Sequence, residues 1–241
     1  MLFFDTLGFL TRLAPARVIP EGDMNRCIRW MPAVGLVLGV VVALLPWLGL
    51  FGKAPWVQAW VMVVLSVYLT RGFHCDGLAD ICDATTTHAD PDRFWQVVKD
   101  SRSGAFAIIG LILALGGEAL LFHEMALREA FGTVVWVFIL GRAASVALAY
   151  GVHHLARPGL GKLYMDGATL NVALGAGIFA LISGFILAGP LTTLAGMALA
   201  GLALIPLYRL AEHVNGANGD FLGCAVILGE LAAGLGFALV M

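Results

Sequence analysis

The stretch FGTVVWVFILGRAASVALAYGV, residues 131–152, decides the fold of this chain. Its residues are almost all apolar, and its single charged residue is Arg142. An α-helix needs about 20 predominantly apolar residues to cross a hydrocarbon core of about 30 Å. The stretch therefore predicts a membrane-spanning helix.

Further apolar stretches of comparable length lie on both sides of it. Of all residues, 60% are hydrophobic and 12% are charged, whereas soluble domains carry about 25% charged residues. We expect an all-α, polytopic integral membrane protein with about seven transmembrane helices. The second and sixth predicted spans are the least certain, so the number of helices is six or seven. The predicted spans are 31–51, 55–73, 104–122, 131–152, 169–188, 190–209 and 221–240.

The remaining residues indicate one membrane-embedded domain, residues 1–241, without a separate soluble part. Residues 1–29 would form an N-terminal cytoplasmic or interfacial arm, and residues 74–103 an Asp-rich cytoplasmic region. The four scattered cysteines are expected to be reduced. A net charge of −2 gives no indication of nucleic-acid binding, and we expect no nucleic-acid partner. We expect the lipid bilayer as a partner.

The distribution of Lys and Arg predicts the orientation, because these residues favour cytoplasmic loops. Eleven of the 14 would lie on one side, two on the other and Arg142 within a span. This places the N-terminus in the cytoplasm, together with three polar motifs that would form one composite site. The eleven are Arg12, Arg17, Arg26, Arg29, Arg71, Arg93, Lys99, Arg102, Arg157, Lys162 and Arg209; the two are Lys53 and Arg128.

The first motif is HCDGLADICDA, residues 74–84. In a helix, Asp76, Asp80 and Asp83 would lie within about 60° of one another on one face. Like charges at this spacing destabilise a helix, and Mg²⁺, which prefers carboxylate and phosphate oxygens, would offset the cost. The pattern predicts a metal face that handles a phosphorylated substrate; the alternative is a solvated acidic surface helix.

The other two motifs are less specific. In VVKDSRSGAFA, residues 97–107, Ser101 or Ser103 would cap the next helix, and nearby cations would bind phosphate; an ordinary basic flank is the alternative. In HVNGANGDFLG, residues 213–223, Asp220 lies at a membrane entry, where it would cap a helix or bind a metal or a ribose.

Taken together, these motifs resemble the cobalamin synthase family of adenosylcobinamide-GDP ribazoletransferases. The resemblance rests on HCDGLADICDA (74–84), KDSRSGAFA (99–107), GANGDFLG (216–223), FLTRL (9–13) and WMPAVGLVLG (30–39), and spans nearly the whole chain in order. Asn218 stands where the family usually has threonine, so an amide replaces a hydroxyl contact. ARPGLGKLY, residues 156–164, is one residue shorter than the family's pattern.

The resemblance implies a multi-pass enzyme of the bacterial inner membrane. It would join the substrate α-ribazole, or its 5′-phosphate, to adenosylcobinamide-GDP and release GMP, with Mg²⁺ required; a homo-oligomer is compatible with the sequence. The roles assigned are metal binding for Asp76, Asp80, Asp83 and Asp220; substrate or phosphate binding for Lys99, Ser101, Arg102, Arg157, Asn218 and Gly219; and catalysis for Asp83, for Asp100 as a base or metal ligand, and for His74 as a general base.

Two rival interpretations remain. A CDP-alcohol phosphatidyltransferase performs the same type of displacement with an Asp-rich helix, but its DGxxAR pattern is not met, because Asp80 follows Ala79 directly. A transporter would explain Glu118, Arg142 and Glu230 within the predicted spans. An internal Glu–Arg pair that ties helices together explains the same residues, and it would lie far from the aspartate face.

Overall fold

The structure is a computed structural model that describes residues 1–87 and 90–241. The predicted region 74–103 thus includes two residues, 88 and 89, that lie outside the described residues. The described residues form helices α1 (Leu2–Leu10), α2 (Glu21–Cys27), α3 (Met31–Trp47), α4 (Pro55–Leu69), α5 (Phe73–Ala84), α6 (Pro91–Val98), α7 (Ala105–Leu127), α8 (Phe131–Val152), α9 (Leu160–Met165), α10 (Leu170–Leu187), α11 (Pro190–His213) and α12 (Gly219–Ala238).

The prediction of an all-α, multi-pass membrane protein is confirmed. Among the described residues, six helical segments are long and apolar enough to cross a membrane, and a seventh span is added if the bent pair α4–α5 counts as one. The six are Glu21–Trp47, Ala105–Leu127, Phe131–Leu155, Leu170–Leu187, Pro190–His213 and Gly219–Ala238.

The predicted span 55–73 does not continue as one straight helix. Helix α4 ends at Leu69, and α5 leaves it at 89°. Arg71 and Gly72 have φ values of 58° and 69°, in the left-handed region that ends a right-handed helix. The bend turns the Asp-rich helix α5 away from the axis of α4 and lays it against α7 and α12.

The N-terminal arm begins with a short helix, α1, which is attached to this bend. The Arg12 backbone N–H donates to the Leu69 carbonyl at 2.7 Å, and the Arg71 guanidinium donates to the Gly8 carbonyl at 3.3 Å. These bonds satisfy carbonyls at the ends of α4 and α1 that lack helical partners.

Helix α8, which contains the stretch quoted first, lies at the centre of the bundle. Within its membrane-length window 83% of residues are buried, against 22% in α7, and its largest contacts are with α3 and α12. Small residues allow these close approaches. A Cβ at Gly39 of α3 would lie 2.7 Å from the Val135 carbonyl oxygen, and one at Gly229 of α12 would lie 2.8 Å from the Gly141 Cα.

The ionisable residues inside the spans form one buried cluster. The Arg142 guanidinium pairs with the Glu230 carboxylate, and Glu118 lies beside them, so the expected Glu–Arg pair is present. The sequence placed this pair far from the aspartate face, yet it contacts the same helix, because Arg142 Nη2 is 3.4 Å from His74 Nδ1 on α5. The cluster therefore borders α5 at His74.

Candidate active site

Helices α5 and α12 cross at very short distance where their polar motifs meet. A Cβ at Gly77 of α5 would lie 2.8 Å from the Asp220 carbonyl oxygen, and one at Gly223 of α12 would lie 3.3 Å from the His74 Cα. Only glycine at position 77 permits this approach. The crossing joins the first motif to the third, two of the three expected in one composite site.

Three carboxylates surround this crossing: those of Asp76, Asp80 and Asp220. Burial raises the pKa of Asp80 to about 6, and the negative charges of Asp220, Asp76 and Asp83 contribute to the increase. The Asn218 side-chain amide donates to the Asp220 carboxylate at 2.6 Å, and the Asn218 Oδ1 accepts from the Asp220 backbone N–H at 3.2 Å. Asn218 therefore caps α12 and orients Asp220.

The chemistry of this set fits a hard divalent cation. Its donors are carboxylate oxygens, the ligands that Mg²⁺ prefers together with phosphate oxygens, and their mutual repulsion is the cost that a cation offsets. Within the described part of the chain, however, no three His, Cys, Asp or Glu side chains are gathered closely enough to hold a metal ion. The match to a cation therefore rests on the chemistry of the donors and not on their present spacing.

Asp83 lies on α5 as its spacing predicted, but its carboxylate has partners that the spacing does not show. Its two carboxylate oxygens accept hydrogen bonds from the backbone N–H groups of Gly104, at 2.5 Å, and Ala107, at 2.8 Å. Asp83 thus caps α7 from outside that helix. The sequence had predicted Ser101 or Ser103 as the cap. As placed, Asp83 holds α5 against α7.

The second motif surrounds an open cavity of 410 Å³ beside this cap, lined in part by Asp83, Asp100, Arg102 and Ser103. The Arg102 Nη2 donates to the Asp100 carboxylate at 2.7 Å, and this guanidinium lowers the Asp100 pKa to about 2. A carboxylate with so low a pKa is a poor proton acceptor near neutral pH, which argues against Asp100 as the base. Lys99, Ser101 and Arg102 are exposed at this surface.

Arg157 joins the third motif through both its backbone and its side chain. Its N–H donates to the Ala217 carbonyl at 2.8 Å, and its guanidinium stacks over the Trp95 ring at 4.3 Å from the centroid. A Cβ at Gly216 would lie 2.7 Å from both side chains. The stretch 156–164, although one residue shorter than the family's pattern, thus places Arg157 beside the start of α12.

An apolar cavity of 240 Å³ opens beside Asp76 and Asp220; we call it the aromatic cavity. Phe9 packs against Phe73 and Tyr164 there, with ring centroids 6.0 and 6.1 Å apart. Sequence reasoning missed Tyr164, Ser145 and Trp95, because no local pattern distinguishes them from core residues. The lining includes Phe9, Met31, Phe73, His74, Asp76, Ser145, Gly161, Tyr164, Asp220, Leu222 and Val226.

His74 lines this cavity, and its expected role as general base stays a prediction. Its Nδ1 lies near Arg142, and a guanidinium can only donate. Nδ1 must therefore accept, which assigns the ring proton of neutral His74 to Nε2. Nε2 is buried without a hydrogen-bond partner in the described structure, and with this tautomer it donates and does not take a proton.

Known proteins of one family match this chain over nearly its whole length. Residues 2–238 match the family model described as cobalamin-5-phosphate synthase. A protein of Nitratidesulfovibrio vulgaris (strain Miyazaki F) named adenosylcobinamide-GDP ribazoletransferase is 44% identical over 230 residues, 95% of this chain and 91% of the relative. A Klebsiella pneumoniae (strain 342) protein of the same name is 33% identical over 95% of this chain and 96% of the relative. No solved structure matches.

Proposed function

The chain belongs to the cobalamin-5-phosphate synthase family, and we propose how its composite site joins α-ribazole, or its 5′-phosphate, to adenosylcobinamide-GDP. Family membership makes it a transferase of cobalamin biosynthesis embedded in a membrane. The observation that carries the proposed mechanism is the crossing of α5 and α12, which brings Asp76 and Asp80 beside Asp220.

In the proposed reaction a ribose hydroxyl attacks the cobinamide-side phosphorus of the diphosphate. The new bond joins that hydroxyl oxygen to phosphorus, the bond to the GMP phosphate oxygen breaks, and GMP leaves. The hydroxyl proton passes to a carboxylate at the edge of the aromatic cavity, where Asp76 and Asp220 lie. The chain contributes mainly positioning and charge neutralisation.

Mg²⁺ is the proposed cofactor, with Asp76, Asp80 and Asp220 as the residues that would hold it. Once bound, such an ion neutralises diphosphate charge and stabilises the leaving oxygen. Asp83 supports this set from the α7 cap. Lys99, Arg102 and Arg157 are proposed to bind phosphate oxygens, and Arg157 is held ready by its stack on Trp95.

Turnover by the purified protein in nanodiscs tests this proposal. The assay contains adenosylcobinamide-GDP, α-ribazole and Mg²⁺, with EDTA as a control, and follows GMP and cobalamin by chromatography. We expect metal-dependent GMP release with matching cobalamin. Asp80→Asn should abolish turnover, whereas Asp92→Asn, which changes an exposed carboxylate on α6, should not. Full activity of Asp80→Asn would refute the metal role.

The same assay separates the rival reactions. A CDP-alcohol phosphatidyltransferase would release CMP from a CDP-alcohol, and GMP release excludes that identity. Neither this rival nor the transporter is favoured by the family match.

We also propose that the chain lies in the bacterial inner membrane with its N-terminus in the cytoplasm. The charge bias supports this orientation: eleven Lys and Arg residues on one side against two on the other. Cysteine labelling in intact spheroplasts tests it in a background without the native cysteines. A membrane-impermeant maleimide should label Lys53→Cys, and should label Arg17→Cys only after lysis. The reverse pattern would overturn the orientation.

A further inference from the structure

Three residues that line the aromatic cavity each carry a buried polar atom without a hydrogen-bond partner among the described residues: Ser145 Oγ, Tyr164 Oη and His74 Nε2. The three residues are 0%, 5% and 4% exposed. They come from three different helices, α8, α9 and α5. Buried polar groups in proteins are nearly always hydrogen-bonded, so three such groups around one cavity indicate a ligand that supplies the partners.

The walls between these atoms define the shape of that ligand. Phe9 and Phe73 present aromatic rings, and Leu222 and Val226 complete an apolar surface. A flat aromatic ring fits such walls, while donors and acceptors attached to it would meet the Ser145 and Tyr164 hydroxyls. The combination describes a nucleoside with an apolar heterocyclic base.

Size and position distinguish between the two substrates. The cavity measures 240 Å³, somewhat below the usual size of ligand sites, which span about 300–1,000 Å³. A corrinoid nucleotide is too large to be enclosed there. Asp76 lies in the lining of this cavity and also of a neighbouring one of 410 Å³ that contains Arg71, so the smaller pocket opens at the carboxylates of the proposed reaction centre.

We propose that the aromatic cavity is the subsite for the acceptor nucleoside, α-ribazole. Its benzimidazole ring packs between Phe9, Phe73 and Tyr164. The Ser145 and Tyr164 hydroxyls and the His74 Nε2–H bind its polar atoms, and its ribose faces Asp76 and Asp220. This inference rests on the proposed function, since it assigns one substrate of that reaction to one cavity.

The test uses changes that remove only a hydroxyl. Tyr164→Phe and Ser145→Ala should each raise the Kd of α-ribazole, measured by calorimetry in nanodiscs with EDTA, by about three- to tenfold. In turnover they should raise the KM for α-ribazole and leave the KM for adenosylcobinamide-GDP unchanged. Tyr150→Phe and Ser183→Ala are matched controls, because both side chains lie outside the cavity lining.

The outcomes separate the subsite from the function. Wild-type affinity for α-ribazole in both hydroxyl variants would overturn the subsite, as would a raised KM for adenosylcobinamide-GDP alone. If wild-type protein releases no GMP, the proposed function itself fails. Ser145→Phe, which fills the cavity, should abolish α-ribazole binding, and unchanged binding by the folded variant would also overturn the proposal.

Discussion

Gly77 on the aspartate helix lies directly against the backbone of Asp220 at the start of α12, so that even a methyl group at position 77 would approach the Asp220 carbonyl oxygen to 2.8 Å. This contact sets the separation between the carboxylates of α5 and that of α12. The geometry of the site thus depends on a residue that has no side chain.

Gly77→Ala should separate the two helices and lower kcat by about tenfold to a hundredfold, because small displacements of catalytic groups have large effects on rate. Membrane insertion should be unaffected. The measurement is GMP release by purified protein. Gly175→Ala in α10 is the matched control, since a Cβ there meets no other atom within 4 Å. Normal turnover of Gly77→Ala would show that the site tolerates a wider crossing.

Asp83→Ala should destabilise the protein, because it removes both acceptors of the Gly104 and Ala107 N–H groups at the start of α7. A lost N-cap costs about 0.5–2 kcal/mol. Thermal unfolding in detergent should show a lower Tm for Asp83→Ala than for Asp92→Ala. An unchanged Tm would contradict the capping role and return Asp83 to the metal face.

The stability of the metal-free protein should increase as the pH falls from about 7 toward 5. Asp80 has a pKa of about 6 when folded, above its ordinary value of 3.8. Between these two values the folded state binds a proton that the unfolded chain does not, so acidification favours folding. The Tm measured in EDTA against pH should show this rise, and Asp80→Asn should reduce it.

Protons should also compete with Mg²⁺ at the same carboxylate. The increase in Tm on adding Mg²⁺ should therefore be larger at about pH 7 than at about pH 5. An equal increase at both values, or one that persists in Asp80→Asn, would contradict the proposed ligand.

The pair Arg142–Glu230 should be strongly coupled in stability. Removing one partner leaves a buried charge uncompensated, which costs about 3–5 kcal/mol, whereas replacing both by apolar side chains is often tolerated. We expect Arg142→Met and Glu230→Met each to lower the Tm markedly and the double variant to recover part of the loss. Additive losses in this double-mutant cycle would show that the two side chains act independently.

Sequence reasoning identified the elements of the site more reliably than their contacts. The helical spacing of Asp76, Asp80 and Asp83 predicted a helix, and α5 covers all three. The contact of Asp83 with Gly104 depends on where α7 begins in space, 21 residues later, and no local pattern contains that information. Membrane energetics predicted the Glu–Arg pair. Its contact with His74 was not predicted, because that contact also joins residues far apart in the chain.

The aromatic cavity was beyond sequence reasoning altogether. Phe9, Ser145 and Tyr164 are ordinary apolar or small polar residues in their own helices, and only packing of α1, α8 and α9 around α5 and α12 places them on one surface.

The sequence by itself determined the membrane-embedded helical fold, most of its membrane-length segments and the polar motifs between them, because hydropathy over about 20 residues is a local property. It also carried the family resemblance. Tertiary structure alone decided which carboxylates meet, which one caps a helix and where a nucleoside would bind. Those relationships depend on contacts between helices far apart in the chain, such as Gly77 with Asp220, and on glycines whose importance lies in what packs against them.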